Sequence, residues 1–214
     1  MNALKLVFLL VVSGSLLGGC AASRSELDIP VGKTSVTPTK AAVKITEVLD
    51  KRRFEIDPRS PKTPSVRGNE IDNEALTARA MGRKRGGFGN AWGDVVLPEG
   101  QTVSGLIAKV LAAALAEKGY AVVVEGSPGY DGALPLSAEI LKYWSWFSPG
   151  FATISVTNET LVRLTGPWPI AESDREVEAQ AKVDSHTVIT DDDWAELQIK
   201  ATQDLKTNVE AVLK

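Results

Sequence analysis

QTVSGLIAKVLAAALAEKGYAVVVE, residues 101–125, carries the two local signals on which the fold turns. Val103, Leu106, Ile107, Val110, Leu111 and Leu115 recur at spacings of three and four, which places them on one face of a helix over 101–118. Thr102 stands where a hydroxyl can cap that helix, and Gly119 stands just past its end. Directly after it, YAVVVE (120–125) is a β-branched run bounded by Gly126, Pro128 and Gly129, which predicts a strand.

Toward the C-terminus the period changes to two. Residues 134–147 place Leu134, Leu136, Ala138 and Ile140, then Trp144 and Trp146, on one face, against Ser137, Glu139 and Ser145. Residues 151–165 are β-branched around Ile154, Val156 and Val162. Residues 176–184 alternate Val177, Ala179, Ala181 and Val183 with charged and amide side chains, the pattern of an antiparallel strand with one wet face. Thr190 and the acids Asp191, Asp192 and Asp193 then open a last helix, with Trp194, Leu197, Ala201, Leu205 and Val209 on its stripe. Toward the N-terminus, Val43, Ile45 and Val48 predict a first strand over 42–49. The order strand, long insertion, helix, strand, three strands, helix predicts an α+β fold: a mostly antiparallel sheet of about five strands with two helices packed on one face.

The chain has 214 residues, 43% apolar and 24% charged, which fits one domain plus tails and argues against wholesale disorder. One Cys and one His leave no intramolecular disulfide, Cys-rich zinc site or iron–sulfur cluster. His186 falls on the polar phase at a strand end. There is no Gly-x-Ser-x-Gly elbow, His-Glu-x-x-His pair, Cys-x-x-Cys or P-loop. GFGNAW (87–92) has two glycines of a dinucleotide fingerprint but Trp92 in the third place, and it reads as a loop. The three acids at 191–193 lack the spacing of a calcium loop and suit a helix start. A net charge of −3 points away from nucleic acid. The expectation is a non-enzyme with no metal or cofactor.

The N-terminus, MNALKLVFLLVVSGSLLGGC (1–20), places Lys5 before an apolar run from Leu6 to Val12, then small residues before Cys20, the layout of a secretory signal. The run is too short and too interrupted for a span of about 20 residues. Leu17-Gly18-Gly19-Cys20 resembles the bacterial lipobox. That resemblance implies a signal peptide at 1–19, cleavage before Cys20, and lipid on its sulfur and its new amine. Several acyl chains hold a protein stably to a bilayer. Ala21, where an Asp would imply retention in the inner membrane, implies the outer membrane with the folded part facing the periplasm. Pro30, Gly32 and Pro38 punctuate residues 20–40, which read as a lipidated tether, leaving 41–214 as a periplasmic α+β domain with a basic insertion at 50–100. The lipobox, the helix ending ALAEKGY (114–120), its strand, and LSAEILKY (136–143) running into aromatics are together similar to the YajG-type outer-membrane lipoprotein family. More distantly they resemble the strand–helix–strand module of several outer-membrane assembly lipoproteins. The likeness covers the signal and residues 103–165 and implies an anchor and a fold with little assigned chemistry; the insertion at 50–100 departs from it.

That insertion concentrates charge. Residues 51–89 hold ten basic against five acidic groups, a local +5, leaving about −9 on the rest of the mature chain. Pro58, Pro61 and Pro64 forbid a continuous helix, and residues 72–82 suit a short one. At its end Arg83, Lys84 and Arg85 meet glycines, Phe88 and Trp92, a combination suited to an anionic polymer: guanidinium groups pair with phosphate or carboxylate, and aromatic faces stack on sugar rings. The expected partners are therefore the bilayer through Cys20 and an envelope polymer (peptidoglycan or lipopolysaccharide) or an envelope protein. The alternatives are an accessory subunit of an envelope transport or flagellar machine, a hydrolase using two converging carboxylates, or a solvated basic loop that only pairs with the acidic scaffold. Five aromatics in YWSWFSPGF (143–151) suit core packing or a partner patch.

Overall fold

The computed structural model describes residues 24–32, 34–85, 91–167 and 174–213. The chain runs β1 (Ser25–Glu26), β2 (Ala42–Asp50), α1 (Glu74–Thr77), β3 (Ala80–Arg85), β4 (Ala91–Val96), α2 (Val103–Glu117), β5 (Ala121–Val122), β6 (Leu134–Pro149), β7 (Ile154–Thr165), β8 (Arg175–Ser185) and α3 (Asp191–Val212). The fold is α+β. Thr102 caps α2 by accepting from the Gly105 amide at 3.0 Å. Gly119 ends it at φ +85°, a left-handed turn that glycine adopts without strain. Thr190 and Asp193 close a capping box on α3. Both long helices pack on one face of the sheet over a core that includes Ile107, Leu111, Ile140, Val162, Leu197 and Leu205.

The sheet is larger than the expected five strands and is mixed. It has eight strands in the path β1-β4-β3-β6-β2-β5, with β7 on β6 and β8 on β7. β6 pairs along one edge with β7, antiparallel. Along its other edge it takes two parallel partners in turn, β2 beside Leu134 to Ile140 and then β3 at Ser145 and Trp146. β1 with β4 and β2 with β5 are also parallel. The expectation fell short because β1, β3 and β4 come from stretches that read as tether and structureless insertion. The run at 120–125 contributes only the two residues of β5.

A bulge corrects the expected faces of β6. Its register against β7 slips between Ile140 and Lys142, so Leu141 is an extra residue and the alternation changes parity. Leu136, Ala138 and Ile140 therefore share the helical face with Tyr143, while Trp144 and Trp146 turn to the opposite one. There residues 51–79 form a second layer, where Val66, Leu76, Phe54 and Ile71 pack with the two tryptophans, Ala80 and Val96. Phe54 meets Trp144 edge-on at 5.9 Å, and Trp144 donates from Nε1 to the Pro61 carbonyl at 3.1 Å. The short helix expected over 72–82 is confined to α1.

Arg52 pins this layer. Its side chain is fully buried and paired with Asp50, Nη2 to Oδ2 at 2.6 Å. It also donates to the carbonyls of Thr77 at 3.0 Å and Tyr143 at 3.2 Å, and to that of Ala80.

Of the stretch read as a tether, residues 24–32 and 34–40 lie against the fold. The Leu27 amide donates to the Val96 carbonyl at 2.9 Å, Ile29 is only 3% exposed, and the Thr39 and Lys40 amides both donate to the Gly119 carbonyl. Leu27, Ile29 and Val31 are an alternating apolar set that joins the main core.

Candidate functional site

Neighbouring side chains on a strand point to opposite faces, and this divides the three cations of β3. Arg83 faces the 51–79 layer, is 6% exposed and donates to the Val66 carbonyl. Its Nε lies 3.9 Å from Asp94 and has no hydrogen-bond partner among the described residues. Lys84 faces the other way and reaches the first turn of α3, with Nζ 2.6 Å from Asp191 Oδ1 and in contact with the Ser25 hydroxyl. Ser25 itself donates to the Asp191 carboxylate at 2.8 Å, so β1, β3 and α3 meet at one polar knot. Burial alone would raise the Asp191 carboxyl, but hydrogen bonds from Lys84 and Ser25 and the Lys84 charge outweigh it and hold the group below the ordinary value. Arg85 is half-buried and donates from Nη2 to Ser65 Oγ at 3.1 Å. Among the described residues no carboxylate lies within ion-pair distance of it. Burial, and then the neighbouring Arg83 charge, push its guanidinium down, with Asp57 acting in the opposite sense.

Lys84, Arg85 and Trp92 converge on one cleft of about 420 Å³ at this end of the sheet. Phe147, Ile154 and Trp194 supply an apolar lining, and Val188 and Ile189 of the β8–α3 connection supply a further wall. Trp92 and Val188 are 53% and 60% exposed. Phe151, in the turn between β6 and β7 beside Ile154, is fully exposed. The volume and the apolar lining with few polar groups match ordinary small-molecule sites, about 300–1,000 Å³.

A second recess of about 270 Å³ also borders Trp92. It gathers Arg24, Arg67 and Arg83 with Glu70 and Asp94. Arg24 bridges Glu70 at 2.8 Å and Asp94 at 3.3 Å, and Arg83 Nε lies 3.9 Å from Asp94, so two carboxylates serve three cations and, among the described residues, none lies within ion-pair distance of Arg67. Burial raises the Asp94 carboxyl against the opposing pull of Arg83 and Arg24.

The five residues proposed from sequence are therefore not one patch. Lys84, Arg85 and Trp92 share the cleft; Arg83 is an internal pin; Phe88, like Cys20, lies outside the described residues. Asp191 belongs to the site as well as to the first turn of α3, and its position in that acidic turn did not disclose the site role. Trp194 and Ile154 were legible only as core residues. Tyr143, Trp144 and Trp146 are buried, while Phe151 is not. Among the described residues no group of three or more His, Cys, Asp or Glu side chains is placed to hold a metal ion.

No protein-family model matches the chain, and no curated protein matches it. Solved structures resemble it at low identity, two of them as follows. One, an uncharacterized protein, is 8% identical with a TM-score of 0.39, over 89% of this chain and 97% of its own. The other, the hypothetical protein CT253 from Chlamydia trachomatis, is 10% identical with a TM-score of 0.41, over 81% of this chain and 98% of its own.

Proposed function

We propose that this chain is a non-catalytic envelope lipoprotein, acylated at Cys20, held at the outer membrane facing the periplasm, and binding an anionic envelope component through the Lys84–Arg85–Trp92 cleft. The observation that carries the binding role is the half-buried Arg85, without an acidic partner among the described residues, beside an apolar cleft. A desolvated cation is costly unless an anion meets it, and the cleft leaves room for one. The lipobox and the YajG-type resemblance support the anchor.

The docked N-terminus supports the same arrangement. β1 runs parallel to β4 with Ser25 opposite Val95, so its leading end lies toward Trp92. Cys20 precedes Arg24 by only four positions. At about 3.5 Å per step, those four steps reach no more than ~14 Å. A lipid on Cys20 would hold the cleft end close to the bilayer.

Two variants test this. Cys20→Ser should move the protein out of the membrane fraction, and continued membrane retention would overturn the anchor. Arg85→Glu should abolish cofractionation with isolated lipopolysaccharide or cell-wall material, and unchanged retention would overturn the binding role. Arg83 is left intact, because its reversal would bury a carboxylate in the 51–79 layer.

A further inference from the structure

We infer that the cleft takes one acyl chain of an anionic membrane lipid, with the lipid's acidic head on Arg85 and the chain along Phe147, Ile154 and Trp194. This rests on the binding role proposed for the same cleft and narrows its ligand class. An anionic sugar or peptide would need polar partners along its length. The cleft instead exposes mostly apolar surface, from Trp92, Phe147, Ile154, Val188 and Ile189. Its polar side chains are Lys84 and Asp191, paired with each other, Arg85, Thr187 and Thr190, which leaves Arg85 as the cation without a paired carboxylate among the described residues. Charge decides where the head sits. Lys84 is already committed to Asp191 and Ser25, whereas Arg85 holds only the Ser65 hydroxyl among the described residues. A phosphate or carboxylate at Arg85 would restore the charge balance that the fold leaves open.

The mouth of the cleft supports a lipid source. Trp92 and Val188 stand exposed at its rim, and Phe151 projects from the adjoining turn. Exposed aromatic side chains of this kind settle at a bilayer interface. The leading end of β1 lies on the same side. A lipid would pass from the bilayer into the cleft without crossing water.

The test uses the full chain in phosphatidylcholine vesicles, titrated with 12-bromododecanoate, whose terminal bromine quenches tryptophan fluorescence on contact. Saturable quenching is expected, and Trp194→Phe and Trp92→Phe should each reduce its amplitude, because both side chains line the cleft. Arg85→Gln should weaken binding about tenfold, the loss expected for one charge-assisted hydrogen bond, while Arg85→Lys should retain most of it. Ile154→Trp, which narrows the cleft, should block entry, with circular dichroism showing that the fold persists.

The proposal is overturned if 12-bromododecanol binds as tightly as the acid, if inorganic phosphate displaces the acid at equal concentration, or if Arg85→Gln changes nothing. Quenching that does not saturate also overturns it. Loss of lipid binding with lipopolysaccharide cofractionation intact would remove this inference alone and leave the broader binding role standing.

Discussion

Arg52 donates to the carbonyl of Tyr143 at 3.2 Å, at the point on β6 where the edge partner changes from β2 to β3. β2 ends opposite Ile140 and β3 begins opposite Ser145, so neither strand's paired register includes Tyr143. A side chain thus completes a ladder that no strand completes. The same guanidinium ties the sheet to Asp50, Thr77 and Ala80.

Arg52→Met should therefore destabilise the fold by about 3 kcal/mol, since it strands a carboxylate and several carbonyls at once. Urea unfolding should show a lower midpoint with an unchanged slope. Arg52→Lys should recover only a small part, because an ammonium cannot span that fan of acceptors. A variant as stable as wild type would mean that the 51–79 layer does not depend on this pin.

A second prediction concerns the polar chain buried beneath α3. Tyr143 donates to Gln198 Oε1 at 2.9 Å, Gln198 and Asn158 each donate to Ser145 Oγ at 2.9 Å, and Thr160 donates to Asn158 at 2.8 Å. Burial pushes the Tyr143 phenol well up, with Arg52 as a minor opposing influence, so it remains a donor at ordinary pH. Gln198→Leu should cost about 2 kcal/mol by leaving the buried Tyr143 hydroxyl without its acceptor and Ser145 Oγ with one donor fewer. In a double-mutant cycle with Ser145→Ala the combined loss should be smaller than the sum of the two single losses.

The knot at Asp191 gives stability a pH dependence of known sign. Its carboxyl titrates lower in the folded state than in the unfolded chain, near 3.8. Its contribution is therefore fully present above the unfolded value and is lost as pH falls through the folded one. Asp191→Asn should flatten the acid limb of a stability–pH curve below about pH 5 and lower the Tm at pH 7. An acid limb with the same slope in the variant would show that Lys84 and Ser25 leave Asp191 unperturbed.

Much of the helical side of the molecule was legible in the sequence. The caps at Thr102 and Thr190, the 3.6-residue stripes and the clean alternation of β8 are local signals, and each survived folding because a flat sheet face rewards them. The opposite side was not legible. β3 reads AMGRKR, and its cations look like a solvated loop until residues 51–79 are laid over Arg83 and the knot is built around Lys84. Their partners, Val66, Asp94 and Asp191, are set by tertiary structure, not by spacing along the chain. The faces of Trp144 and Trp146 were misassigned for a similar reason: a one-residue bulge leaves no compositional trace, yet it inverts every position after it. For the cleft, the basic run and Trp92 were visible as a chemical type, while the apolar lining came from residues that any reader would assign to the core.

The contact between Ser25 and Asp191 spans 166 positions of the chain. The segment that carries Ser25 is made early, and its acidic partner follows only 166 positions later. The cleft cannot be complete in any nascent chain shorter than that. A chain cut before Asp191 would lack the acidic partner of Lys84, the Trp194 wall of the cleft and the share of the main core that α3 supplies.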